Sequence, residues 1–249
     1  MKFTNLVVNG CSYTDDRFAT TWATLLAQKF SQVNYTNLAS AAAGNDYICR
    51  STMHFLSEQQ PDPATTLVVI MWSGTGRKDI SVPGDWWYHI KETYACGRNH
   101  NDKQYYVFSG GLNNSWTRNT LTKKIFSWPY KLCDPTTLCE DNLLNFVNLE
   151  NFLKVKGYTY MFGSYVNYWH TQEQSNFSAG DYCIGYFCQD HSLYQQLDFS
   201  KWFFVNQDKD CLAEFARDID QLDDTGHPTQ IGHQKFCDQV VWPAVQSVC

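Results

Sequence analysis

The sequence lacks long apolar runs and clusters of basic residues, and each absence excludes a class of protein. The longest apolar run, residues 67–72, is far too short to span a bilayer, so no membrane segment is expected. Lys and Arg number 19 against 25 Asp and Glu, and no stretch is rich in Lys or Arg. Phosphate backbones are bound by clustered cations, so nucleic acid is not an expected partner.

Zinc-type spacing is also missing among the 10 cysteines. Two pairs lack the C-x2-C spacing of a zinc site: Cys133/Cys139 and Cys183/Cys188. Three others lie in apolar patterns, where free cysteine behaves as a small hydrophobe: Cys49, Cys211 and Cys237. We therefore expect mostly free thiols in a reducing compartment, with no metal and no cofactor.

Aromatic residues are abundant, with 9 Trp, 15 Tyr and 16 Phe. This exceeds what a core of this size needs, which predicts that some rings line a cleft or an interface. Trp86 and Trp87 are candidates for substrate binding, because flat apolar rings suit the faces of sugars. A packed lid is the simpler interpretation of the same Trp-rich stretch.

Short apolar strands alternate with helical spacing along the chain. Strands are predicted near residues 3–8, 33–38, 67–72 and 158–162, and helices near residues 18–29, 48–56, 143–153 and 231–245. This alternation predicts an α/β protein with a three-layer α/β/α, flavodoxin-like parallel sheet. One domain over residues 1–249 is expected, with two long irregular insertions at about 74–135 and 164–208.

Polar groups follow several of the predicted strands. Strand one leads into Gly10, Cys11 and Ser12, and Asp224 and His227 come just before the final helix. Ligands bind at the carboxyl ends of parallel strands, so these groups are predicted to share one edge. A serine hydroxyl needs a base within reach, and the base needs a group that orients it.

These blocks resemble the SGNH (GDSL-like) hydrolase family. Gly10-Cys11-Ser12 is similar to its first block, and Asp224-x-x-His227 to its last. The resemblance implies that Ser12 is the nucleophile, His227 the base and Asp224 its orienting partner. Residues 37–44 resemble the second block, which implies an oxyanion hole formed by the Ser12 and Gly44 amides.

The third block departs from the family pattern. It has Gly74-Thr75-Gly76-Arg77 where the family has Gly-x-Asn-Asp, so the third oxyanion donor is missing. Loss of one such donor can cost about 3 kcal/mol of transition-state stabilisation. Its replacement stays open among Ser73, a glycine amide, Arg77 and Asn45, with weak activity as the alternative.

Simpler interpretations stand beside catalysis. A serine after a strand is commonly a turn or capping residue, and Asp-x-x-His can be a surface turn. Cys11 is a rival nucleophile, although neighbours at a strand end point to opposite sides. Arg77 can equally be a solvated charge, and His233, two turns into the last helix, is interpreted as structural.

The resemblance implies an ester hydrolase, and the pattern is similar to divergent members carried by tailed bacteriophages. The expected substrate is a small-molecule or glycan ester, such as an O-acetylated carbohydrate. The alternative is a catalytically degenerate domain that binds glycan or serves as a structural protein. The first apolar run leads into a turn and is interpreted as a strand, not a signal peptide. A soluble protein of the cytoplasm or of a virion is expected, with oligomerisation or virion association left open.

Overall fold

A computed structural model describes residues 2–17, 19–82, 104–108, 134–171 and 182–248, with residues 79–82 and 104–108 described as backbone. The strands are β1 (Asn5–Asn9), β2 (Asn34–Asn37), β3 (Thr66–Trp72), β4 (Lys78–Val82), β5 (Gln104–Phe108) and β6 (Thr159–Ser164). The helices are α1 (Trp22–Gln28), α2 (Asn45–Gln59), α3 (Pro135–Lys156), α4 (Ile184–Cys188), α5 (Leu212–Asp218), α6 (Gln230–Phe236) and α7 (Trp242–Gln246), with a π-helical segment, Cys237–Val241, between the last two.

The main sheet has the strand order β2-β1-β3-β6. All of its neighbouring strands pair in parallel. The order reverses between β1 and β3, which is the switch point where ligands bind in doubly wound sheets. The predicted α/β fold with a flavodoxin-like parallel sheet is therefore confirmed.

Burial explains why β3 lies at the centre of the sheet. All seven of its residues are buried, as expected for a parallel strand covered on both faces. Helices α2 and α3 pack together over the sheet, and Phe146 of α3 lies 4.5 Å from the ring of Trp72. Helix α1 packs with α6 and the π-helical segment. The two groups of helices complete the predicted three-layer arrangement.

The first predicted insertion contains an antiparallel ribbon of β4 and β5. Irregular structure was predicted there, because alternation in so short a stretch does not distinguish a strand from a loop. Trp86 and Trp87 lie outside the described residues.

Helix boundaries differ from the prediction at α3. The helix begins at Pro135, behind an Asp134 side chain that accepts a hydrogen bond from the Thr136 amide. Apolar periodicity begins later, so the first two turns were missed. Helix α5 was also missed, because its seven residues are too few to establish a period.

The seven described cysteines are all buried thiols. Within the described ranges, no helix combines the length and apolar character needed to cross a membrane.

Candidate active site

The turn after β1 holds Ser12 at the switch point. Asn9 accepts a 2.8 Å hydrogen bond from the Gly10 amide and donates one of 2.8 Å to Ser51 Oγ of α2. A Cβ on Gly10 would lie 2.3 Å from Thr14 Oγ1 and 2.9 Å from the Met71 carbonyl, so glycine is needed there. The chain therefore passes close to β3 before it reaches Ser12.

Ser12 and Cys11 face opposite environments. Cys11 is fully buried in the core, whereas Ser12 is partly exposed. The Cys11 carbonyl accepts hydrogen bonds from the Thr14 and Asp15 amides, which closes the turn. Of the two rival nucleophiles, Ser12 is thus the one on the solvent side.

His227 lies on a loop that folds on itself before α6. The Asp223 amide donates to the His227 carbonyl at 2.8 Å, and the Gly226 amide donates to the Asp223 carbonyl at 2.9 Å. Gly226 has a φ of 79°, in the left-handed region that favours glycine. The loop thereby turns the imidazole back toward the turn that carries Ser12.

Ser12 and His227 meet across 215 residues of sequence. Ser12 Oγ lies 2.9 Å from His227 Nε2, within hydrogen-bond reach. This is the separation expected between a serine nucleophile and its base. The structure therefore brings together two of the three residues predicted from the family motif.

Asp224 does not make the contact predicted for it. Its side chain is exposed, and within the described part of the chain it forms no hydrogen bond with His227. His227 Nδ1 instead lies 2.9 Å from Thr225 Oγ1. The Thr225 hydroxyl also donates to Asp223 Oδ1 at 2.6 Å. The carboxylate nearest the imidazole by this route is therefore that of Asp223.

The charge of His227 is set by burial and three neighbours. Burial lowers the pKa of His227, the Asp223 carboxylate raises it, the Arg77 guanidinium lowers it and a hydrogen bond with the Thr225 main chain raises it, with a net decrease. Hydrogen bonding by Thr225 outweighs the effect of burial and lowers the pKa of Asp223. At neutral pH the imidazole is therefore neutral and Asp223 is ionised.

Aromatic rings connect His227 to Arg77. Tyr13 lies 4.9 Å from the His227 ring and 4.8 Å from the Tyr165 ring, measured between centroids. The Arg77 guanidinium lies 5.5 Å from the Tyr165 centroid, within cation–π range. Tyr13 also donates a 2.7 Å hydrogen bond to the Gly226 carbonyl, which joins the turn that carries Ser12 to the loop that carries His227.

The loop that carries Gly44 is attached by hydrogen bonds to the turn that carries Ser12. Asp15 is buried, pairs with Arg17, and accepts a 2.8 Å hydrogen bond from the Ala41 amide. The Ser40 amide donates to the Gly10 carbonyl at 3.2 Å. Gly44, which directly precedes α2, thus lies at the same edge of the sheet as Ser12.

Asn45, a candidate for the third oxyanion donor, has both of its side-chain hydrogens engaged elsewhere. It is buried, and its amide donates to the Ser73 carbonyl at 3.0 Å and to Asn142 Oδ1 at 2.6 Å. An asparagine amide has two hydrogens, so both are committed to the packing of β3 against α3. Ser73 and Thr75 are fully buried too. Within residues 73–77, Arg77 is partly exposed, whereas the other four residues are buried.

Sequence reasoning missed Thr225, Asp223, Tyr13 and Tyr165. Thr225 and Asp223 stand inside or beside the Asp-x-x-His motif, but the motif gives no reason to choose a hydroxyl over a carboxylate. Tyr13 follows Ser12, and Tyr165 follows β6, so both lie at strand ends where site residues collect. That position was the available signal for the two tyrosines.

The chain is similar in structure to several solved proteins. The structure of TesA matches with a TM-score of 0.51 and 13% identity, covering 98% of this chain and 99% of that one. The YXIM protein of Bacillus subtilis matches with a TM-score of 0.50 and 10% identity, covering 99% of this chain and 57% of that one. A lipolytic G-D-S-L family protein of Veillonella parvula DSM 2008 matches with a TM-score of 0.48, 12% identity and 94% coverage of each chain.

At such low identity the likenesses to TesA and to the YXIM protein show a shared α/β fold and nothing more. No curated protein matches the sequence. Residues 3–247 match a family of unknown function, DUF6071, and the chain belongs to that family.

Proposed function

We propose that the protein is a serine esterase that hydrolyses a short acyl ester, such as an O-acetyl group on a carbohydrate. The observation that carries this proposal is the 2.9 Å separation of Ser12 Oγ and His227 Nε2 at the switch point of the sheet. The lowered pKa of His227 supports it, because a base must be unprotonated to act.

The reaction proceeds in two steps. Ser12 Oγ attacks the ester carbonyl carbon while His227 Nε2 takes the hydroxyl proton, and a tetrahedral oxyanion forms. His227 then gives the proton to the leaving alcohol, which leaves an acyl-Ser12 ester. Water attacks that ester with His227 again as base, and the free acid and Ser12 are released.

Three donors are proposed for the oxyanion. The Ser12 and Gly44 amides correspond to the first two donors of the resembling family. Arg77 takes the place of the missing asparagine, since Asn45 is committed elsewhere and Arg77 is partly exposed beside the site. A positive charge aimed at developing negative charge stabilises the transition state more than it stabilises the ground state.

The openness of the site favours a short acyl group. Ser12 and His227 are both partly exposed, and residues 223–226 are exposed. A long acyl chain requires a deep apolar channel to bury it, whereas an acetyl group does not. Stacking of a sugar on Trp86 and Trp87 remains part of the proposal.

Release of p-nitrophenol from p-nitrophenyl acetate tests the esterase. We expect a burst followed by steady turnover in the wild type, and loss of both in Ser12→Ala and in His227→Ala. Cys11→Ala should keep the burst, because Cys11 faces the core. Full activity of Ser12→Ala, or a loss confined to Cys11→Ala, would show that Ser12 is not the nucleophile.

The pH profile provides an independent check. Activity should rise with pH as His227 loses its proton, with the midpoint below the ordinary histidine value of about 6.5. Arg77→Gln should move the midpoint upward, because the Arg77 charge helps to lower the pKa of His227. A midpoint above the ordinary value in the wild type would contradict the proposed base.

The second candidate is a degenerate domain that binds glycan or serves as a structural component, such as part of a virus particle. The absence of asparagine from residues 73–77 favours it. In that case no burst appears, and Ser12→Ala binds acetylated glycans as tightly as the wild type does. A burst with Ser12 dependence excludes this candidate.

A further inference from the structure

The hydrogen bonds around Thr225 have one consistent direction. Asp223 is a carboxylate and can only accept, so the 2.6 Å contact requires the Thr225 hydroxyl to donate. That hydroxyl has one hydrogen, and its oxygen is then left to accept. The 2.9 Å contact with His227 Nδ1 must therefore be donated by the imidazole.

The proton on Nδ1 determines the protonation of the other ring nitrogen, Nε2. A neutral imidazole with its proton on Nδ1 has an unprotonated Nε2. Nε2 then accepts the 2.9 Å hydrogen bond from the Ser12 hydroxyl. The chain of donors runs from Ser12 through His227 and Thr225 to Asp223, and it leaves the serine proton directed at the base.

We infer that Thr225 is a positioning residue that connects the Asp223 carboxylate to His227, in place of a carboxylate bound directly to the imidazole. This inference rests on the proposed esterase function for its kinetic consequence, but not for its geometry. Thr225 holds the ring tautomer, and Asp223 fixes the direction of the Thr225 hydroxyl.

The backbone of the loop favours the same arrangement. Asp223 Oδ1 also accepts hydrogen bonds from the Thr225 amide at 2.8 Å and from the His227 amide at 3.0 Å. Two main-chain donors therefore orient the Asp223 carboxylate, independently of its hydrogen bond with the Thr225 hydroxyl. Asp224, the next residue, has no such donors within the described part of the chain.

Nitrogen-15 NMR of the imidazoles tests the inference without any substrate, with His227→Gln used to assign the His227 signals. In the wild type above its titration midpoint, we expect the Nδ1–H tautomer. Thr225→Val should shift the population toward Nε2–H, and Thr225→Ser should restore the wild-type pattern. Asp223→Asn should lower the titration midpoint of His227, since its carboxylate raises that pKa. Asp224→Asn should leave both readouts unchanged.

Kinetics with p-nitrophenyl acetate give the second readout. Thr225→Val should lower kcat by about 10- to 100-fold, less than the ~10⁴-fold that follows loss of a carboxylate bound directly to the base. KM should change by less than about twofold, because the role inferred for Thr225 is to orient His227 and not to bind the substrate. Thr225→Ser should recover most of kcat.

An unchanged tautomer in Thr225→Val, or a shift in Asp224→Asn as large as that in Thr225→Val, would overturn the inference. Failure of the esterase proposal looks different. It would leave the wild type without a burst while the NMR signals of His227 still report its partners.

Discussion

The turn that carries Ser12 is built into the core, whereas the loop that carries His227 is held by its own hydrogen bonds. Cys11, Thr14 and Asp15 are buried around Ser12, while residues 223–226 are exposed. The position of Ser12 therefore depends on packing against β3 and α2, and the position of His227 depends on a few polar contacts. Substitutions in the first segment should act on stability, and those in the second on the precision of the site.

The largest effect is expected where the core meets the turn. Gly10→Ala places a Cβ 2.3 Å from Thr14 Oγ1 and 2.9 Å from the Met71 carbonyl. Because the second contact is with backbone, relief requires a shift of β1 against β3. We expect the free energy of unfolding in urea to fall by about 3 kcal/mol. A loss under half of that would show that the turn is less tightly packed than the distances indicate.

The pH dependence of stability tests how α6, the helix that follows the His227 loop, is joined to the core. His233 of α6 is buried, and its Nδ1 accepts a 3.4 Å hydrogen bond from the Trp22 amide of α1. Burial lowers the pKa of His233 to about 4, below the unfolded value of about 6.5. Between these values the unfolded chain binds a proton that the folded chain does not.

His233 in its neutral form thus contributes about 3 kcal/mol to the free energy of unfolding. This contribution is fully present above pH ~6.5 and is lost as the pH falls toward 4. Urea unfolding at several pH values measures it, with His233→Gln as the comparison because glutamine keeps an acceptor without titrating. Parallel curves for the two proteins would show that His233 is not the group responsible.

Tyr13 forms a hydrogen bond between the turn that carries Ser12 and the loop that carries His227. Tyr13→Phe removes the 2.7 Å hydrogen bond to the Gly226 carbonyl and keeps the ring beside His227. We expect a loss of about 1–2 kcal/mol in the free energy of unfolding. The Tyr158→Phe variant, which loses a hydroxyl that donates to the Pro61 carbonyl at the opposite end of β6 from the site, is the control for esterase rate. Equal rates in the two variants would mean that Tyr13 does not position the loop.

The smallest effect is expected at Gly226. A Cβ there meets no atom within 4 Å, so the cost of Gly226→Ala comes from its φ of 79° alone. About 1 kcal/mol is expected in urea unfolding. A loss as large as that of Gly10→Ala would erase the difference between the core-built turn and the exposed loop.

The sequence predicted the sheet well because β1, β3 and β6 are apolar runs followed by small or polar residues. It predicted the meeting of Ser12 and His227 through a family resemblance, which carries information about residues far apart in the chain. It did not predict Thr225, because the choice between neighbouring side chains depends on the φ and ψ angles of a five-residue loop. The β4–β5 ribbon was missed for a related reason, since its pairing is decided by a partner strand more than 20 residues away.

Beyond β6, the described part of the chain adds one isolated parallel bridge to the sheet, between Phe162 and Trp202. The Phe203 amide donates a 2.8 Å hydrogen bond to the Phe162 carbonyl, and the Phe203 ring occupies the space that a side chain on Gly163 would need. Exposed sheet edges recruit strands from other chains and promote aggregation. The Trp202–Phe203 segment occupies backbone positions at this edge, so it protects the sheet from pairing with a neighbouring molecule without adding a full strand.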